Sequence, residues 1–163
     1  MNNEELREKI VKLALLQYRK KYVHGKNGPE VFDCAGLVYY VYKEILGINV
    51  YENGIGLSTT TKIMTNGKGT LELFGETEEK NLDSLKKGDI LLFHRQSLND
   101  NQPKNDNKYP GHCGIYLGED KFIHATKIKG EVVVNNLDDV IDVSKKNKKK
   151  WKKILIGYKN IIN

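Results

Sequence analysis

The chain reads as a single α+β domain spanning 1–163, with N-terminal helices packed on an antiparallel β-sheet of about five to six strands. Three observations predict it. Apolar residues recur at helical spacing in the first third of the chain, and short β-type runs take over from Leu85. The helices come before the strands rather than alternating with them, which argues against βαβ units. At 163 residues, the chain is long enough for one sizeable core and too short to favour a second domain.

Asn3 can cap a first helix, Glu4 and Glu5 suit its positive end, and Leu6, Ile10, Leu13, Ala14 and Gln17 follow the helical period. That pattern predicts a helix to about Tyr22. Turn formers over 23–30 then end regular structure. Leu37, Val38, Tyr40, Val41, Tyr42, Ile45 and Leu46 mark a second helix, with Asp33 as its N-cap and Gly47 as its stop. Cys34 falls in its first turn. Residues 51–69 read as an irregular connection lining the site, with a short helix over 58–64. Strands are predicted over 89–94, 112–117, 121–125, 131–135 and 154–158, and the hydrophilic stretch 95–110 reads as a long surface loop.

The net charge of +6 and pI near 9.1 give a surface that attracts polyanions, and charge alone does not choose among them. The lysine-rich run 145–153 reads as a solvated loop, so nucleic acid is not an expected partner. Two cysteines permit at most one disulfide and fit neither a disulfide scaffold nor a CxxC-type metal site, so no metal or other cofactor is expected. The N-terminal residues lack the basic start and apolar stretch of a signal peptide, and no apolar run reaches the ~18 residues of a membrane span. Synthesis in the cytoplasm, no membrane span and a monomeric state are the expectations.

A thiol at a helix start is favoured as the thiolate by the partial positive charge there. The small neighbours Ala35 and Gly36 would let a carbonyl approach, with backbone amides free to bind a developing oxyanion. The alternative, Cys34 as a buried small hydrophobe, is equally compatible with this segment. A base is needed, and His24, His94, His112 and His124 are available. Strand alternation places His112 and Cys113 on opposite sides, so if His112 faces the helix Cys113 does not, and Cys113 reads as core packing. His112 and His124 lie on consecutive strands joined at Gly118, Glu119 and Asp120, where their side chains can share a face. Spacing alone leaves the identity of the base open.

Four ordered blocks carry a resemblance. Phe32-Asp33-Cys34-Ala35-Gly36-Leu37-Val38, Leu85-Lys86-Lys87-Gly88-Asp89-Ile90-Leu91-Leu92-Phe93, Gly111-His112-Cys113-Gly114-Ile115-Tyr116-Leu117-Gly118 and Phe122-Ile123-His124-Ala125 are similar to the NlpC/P60 family. The similarity runs from about Tyr22 to Ala125, with a weaker echo at Ile154-Leu155-Ile156-Gly157-Tyr158. It implies a papain-like cysteine peptidase that cuts peptidoglycan stem peptides between D-glutamyl and a diamino acid. Cys34 then matches the nucleophile, His112 the general base, and His124 the polar residue that fixes the imidazole. Tyr22 matches the tyrosine whose hydroxyl helps the oxyanion site, and Asp33 and Ala35 flank the nucleophile on that side. Ala35 stands where serine is usual, and Val23-His24-Gly25-Lys26 departs from the usual Trp-Gly-Gly, which bears on peptide preference. Cys113 replaces the common valine.

The implied partners are stem peptides, with anionic wall polymers as a second class suited to the basic surface. For a wall enzyme lacking a leader, release by lysis, by a dedicated secretion device or within a phage particle is the expected setting. Two enzyme readings compete on the same fold: an N-acetylmuramoyl-L-alanine amidase, and a lipid acyl hydrolase or acyltransferase. A wall- or polyanion-binding module without catalysis is the rival from another class.

Overall fold

Local rules explain the helices, and long-range pairing decides where the first of them stops. The computed structural model describes residues 1–74, 80–95, 110–146 and 148–162. Helix α1 (Asn3–Leu15) is capped by Asn2, one residue before the expected cap, whose side chain accepts from the Glu5 amide at 2.8 Å. It ends at Leu15 rather than near Tyr22. The cause is tertiary: Arg19 takes a left-handed φ of 72° and its amide donates to the Val132 carbonyl, while Val132 donates back to Lys20. The chain is thereby drawn into β1 (Lys21–Tyr22), followed by β2 (Val31–Phe32).

Helix α2 (Cys34–Leu46) begins and ends where its sequence predicts. The Asp33 carboxylate accepts from the Gly36 amide at 2.7 Å, and Gly47 stops the helix at a φ of 67°. Helix α3 (Thr59–Thr65) is capped by Ser58. The remaining strands are β3 (Thr70–Leu73), β4 (Ile90–His94), β5 (Pro110–Gly118), β6 (Lys121–Thr126), β7 (Glu131–Asn136) and β8 (Leu155–Asn160), the last preceded by a 3-10 turn over Trp151–Ile154. The loop expected over 95–110 lies, apart from its two ends, outside the described residues.

Among the described residues, one eight-stranded sheet runs β2-β1-β7-β6-β5-β4-β8-β3. It is therefore larger than the five to six strands expected, and mixed: β1 and β2 pair in parallel, the other pairs antiparallel. Two-residue strands are too short to display alternation, and β3 is defined by its register on β8. The β5–β6 hairpin closes through Glu119 and Asp120 at φ 52° and 61°, the left-handed pair that matches strand twist.

Alternation along β4 shows how the sheet divides two cores. Ile90 and Leu92 join Leu37, Val38, Cys113 and Ile123 on the helical side. Leu91 and Phe93 join Tyr116, Phe122, Trp151 and Leu155 on the other. Trp151 corrects one expectation. It sits inside the run read as a solvated loop yet is only 2% exposed, while Lys146, Lys148, Lys150 and Lys153 around it are exposed. On the helical side, buried Arg7 ties α1 to the sheet through Asp89 at 3.0 Å, the Lys87 carbonyl at 2.8 Å, Asn160 at 2.9 Å and the Ile162 carbonyl. Among the described residues, no helix is long and apolar enough to cross a membrane.

Candidate active site

Cys34 is the first residue of α2, partly buried, at the positive end of a 13-residue helix. Both oxygens of the neighbouring Asp33 are engaged by backbone, Oδ1 by the Gly36 amide at 2.7 Å and Oδ2 by the Gly25 amide at 2.8 Å. Asp33 thus fixes the helix start and the preceding loop together. Ala35 is fully buried in the helical-side core, so its contribution to the site is small size beside Cys34.

The sheet meets Cys34 through β5. The Cys34 sulfur faces Cys113 and His112 of β5. The Cys113 thiol is the largest influence holding Cys34 well below the ordinary thiol value of 9.0; burial opposes it, and the imidazole and charge of His112 and the Cys113 backbone reinforce it. Cys113 is driven the other way, well above 9.0, by the same sulfur contact and by complete burial. The asymmetry has a physical source: only Cys34 combines a helix start with an imidazole partner. Cys113 packs as expected in the core, but on the helical side; His112 instead lies among Phe93 and Trp151, with ring centroids at 5.8 Å and 5.4 Å. Opposite faces of β5 therefore supply two different neighbours to one sulfur.

His112 and His124 come together as the hairpin register allows. His112 Nε2 lies 2.7 Å from His124 Nδ1, leaving His112 Nδ1 as the ring nitrogen available to Cys34. His124 Nε2 lies 2.8 Å from Asn135 Oδ1 on β7. Burial holds His124 well below its ordinary 6.5, helped by the His112 charge and opposed by Asn135, so this imidazole is neutral. Gly114 makes room for it: a Cβ there would sit 2.9 Å from the Ile123 carbonyl and 3.1 Å from His124 Cβ. Trp151 closes the far side, its ring 4.8 Å from His124 and nearly perpendicular at 82°.

Tyr22 is close enough for Cys34 to raise its hydroxyl's pKa, second only to burial. His24 and His94 stay outside the array: His24 acts on Asp33 and His94 ends β4. Sequence reasoning missed Trp151, Asn135, Tyr51 and Thr60. Tyr51 lies near Cys113, Asp33 and Cys34, its hydroxyl pushed up chiefly by burial, and it stacks on Tyr39 at 5.1 Å. Thr60 lies beside Cys113 and partly offsets the rise in its pKa. The placement of 51–69 beside the site was the signal for both. Among the described residues, no group of three or more His, Cys, Asp or Glu side chains could hold a metal ion.

A thiol at the start of a helix thus faces a sheet imidazole that is itself 2.7 Å from a second imidazole. The NlpC/P60 family model matches residues 19–160, and the chain belongs to that family. It is 29% identical over 133 residues to Dipeptidyl-peptidase 6 of Lysinibacillus sphaericus, covering 82% of this chain and 37% of that protein. It is 28% identical over 137 residues to murein DD-endopeptidase MepH of Escherichia coli, covering 81% of this chain and 42% of that protein. The chain thus spans under half the length of these relatives. Among solved structures, the NlpC/p60 domain of peptidoglycan hydrolase SagA superposes with a TM-score of 0.63 at 21% identity, covering 94% of this chain and 97% of that one.

Proposed function

We propose that the protein is a peptidoglycan hydrolase, a cysteine endopeptidase that cleaves stem peptides on the carbonyl side of D-glutamate, before the diamino acid. The observation that carries the proposal is the array in which His112, 2.7 Å from His124, faces the Cys34 sulfur at the start of α2. The family match and the relatives named as a murein endopeptidase and a dipeptidyl-peptidase support the substrate class.

The chemistry follows from the array. The Cys34 thiolate attacks the peptide carbonyl, and the oxyanion is held by amides at the start of α2 with help from the Tyr22 hydroxyl. His112, protonated when Cys34 is ionised, delivers that proton to the leaving amine. The C–N bond breaks and a thioester on Cys34 remains. His112 then removes a proton from water, which attacks the thioester, and the thiolate is regenerated as the acid product leaves. Neutral His124 holds the His112 ring in place throughout.

Mass analysis of products from purified peptidoglycan and defined muropeptides tests the bond. New carboxyl termini on D-glutamate, with diamino-acid amino termini, are the expected products. A freed lactyl group with N-terminal L-alanine would replace this reading with an amidase. Binding to walls with no new termini would leave only an adhesion module.

A further inference from the structure

The array does not stop at His124. Asn135 Oδ1 lies 2.8 Å from His124 Nε2, while Asn135 Nδ2 donates to Asp139 Oδ2 at 3.1 Å. The same Asp139 oxygen accepts from the Asn136 amide at 2.8 Å, and the Asp139 amide donates to the Asn136 carbonyl, so a tight turn holds the carboxylate in place. An ionised carboxylate only accepts hydrogen bonds, and a carboxamide has one accepting and one donating end. Asp139 therefore settles which end of Asn135 faces the imidazole.

The consequences pass inward one bond at a time. The Asn135 oxygen requires a proton on His124 Nε2. His124 is neutral, so its Nδ1 carries a lone pair and accepts from His112 Nε2–H. That leaves the lone pair of neutral His112 on Nδ1, facing Cys34. We infer that Asn135 and Asp139 are positioning residues which, through His124, select the tautomer in which His112 Nδ1 acts on the Cys34 sulfur. The inference rests on reading Cys34 as the nucleophile, but its first consequence is a protonation pattern visible without any turnover. Asn135 and Asp139 also border a cavity of about 190 Å³ with Lys129, Ile141 and Trp151, so substitutions there face open space rather than closed core.

Long-range 1H–15N NMR of the imidazoles, with steady-state kinetics on a muropeptide, tests it in the full chain, Asn135→Leu, Asp139→Asn and the double swap Asn135→Asp with Asp139→Asn. The unsubstituted protein should show His124 and neutral His112 protonated at Nε2. Asn135→Leu should mix the His124 tautomers and lower kcat by roughly ten- to a hundredfold with KM within about twofold, the scale of outer-shell losses. Asp139→Asn should lose less, because its amide can still turn an oxygen toward Asn135. The double swap keeps an acceptor for His124 and a donor behind it, and should recover kcat to within about threefold of the starting protein. A proton on His124 Nδ1 in the unsubstituted protein overturns the inference, as does Asn135→Leu with unchanged tautomers and kcat. If the tautomers respond as expected while no variant or parent cleaves muropeptides, the positioning network stands and the proposed reaction falls.

Discussion

At the scale of the residue, two thiols in contact behave oppositely. Cys34 is held well below 9.0 by the Cys113 thiol and then, against burial, by His112; Cys113 is held well above it. Iodoacetamide should therefore alkylate Cys34 at pH values where an ordinary thiol is silent and leave Cys113 untouched in the folded protein. His112→Ala should move the Cys34 profile upward toward 9.0, because it removes a bond and a charge that favour the thiolate. Peptide mapping by mass spectrometry across pH reads both results, and equal labelling of the two cysteines would contradict the assignment.

The element that matters most is α2, since its start fixes Cys34, the proposed nucleophile. Asp33→Ala removes the cap bond to Gly36 and the bond to Gly25, and should lower stability by roughly 1–2 kcal/mol. Asp33→Asn keeps an acceptor and should lose less. Denaturant unfolding followed by the fluorescence of Trp151, the single tryptophan, measures both, and an Asp33→Ala midpoint unchanged from the parent would show the cap to be dispensable. Elements governed by such local rules were legible beforehand: the ends of α2, the existence of α3 and the five main strands. The end of α1 was not, because pairing of Arg19 and Lys20 with Val132 overrides a helical pattern that continues to Gln17. β1 and β2 likewise exist only through their partners.

Across the whole molecule, the sheet separates an apolar helical core from an aromatic layer that encloses the two imidazoles. Burying His124 neutral has a thermodynamic cost that depends on pH. Its folded value lies well below 6.5, so as pH falls through about 6.5 the unfolded chain takes up a proton that the native state refuses, and stability declines. His124→Asn lacks that proton site, and the difference in unfolding free energy between the two proteins should narrow on acidification with a slope approaching one proton. A difference independent of pH between about 7.5 and 5.5 would mean that His124 titrates normally. The placement of the three aligned residues Cys34, His112 and His124 could be read from motif order, whereas Trp151 was hidden in a lysine run and Asn135 at a strand end. Neither bears a chemical signature until folding brings it against the imidazoles.

All of these effects converge on the Cys34 sulfur, the group proposed to make and break bonds. The most direct measurement compares turnover of a defined muropeptide by the parent and by Cys34→Ala, at matched folded fraction judged by Trp151 fluorescence. A loss of at least roughly a thousandfold in kcat, the scale seen when a nucleophile is removed from such an array, with substrate binding retained, is the predicted result. Turnover by Cys34→Ala within a few-fold of the parent would contradict it.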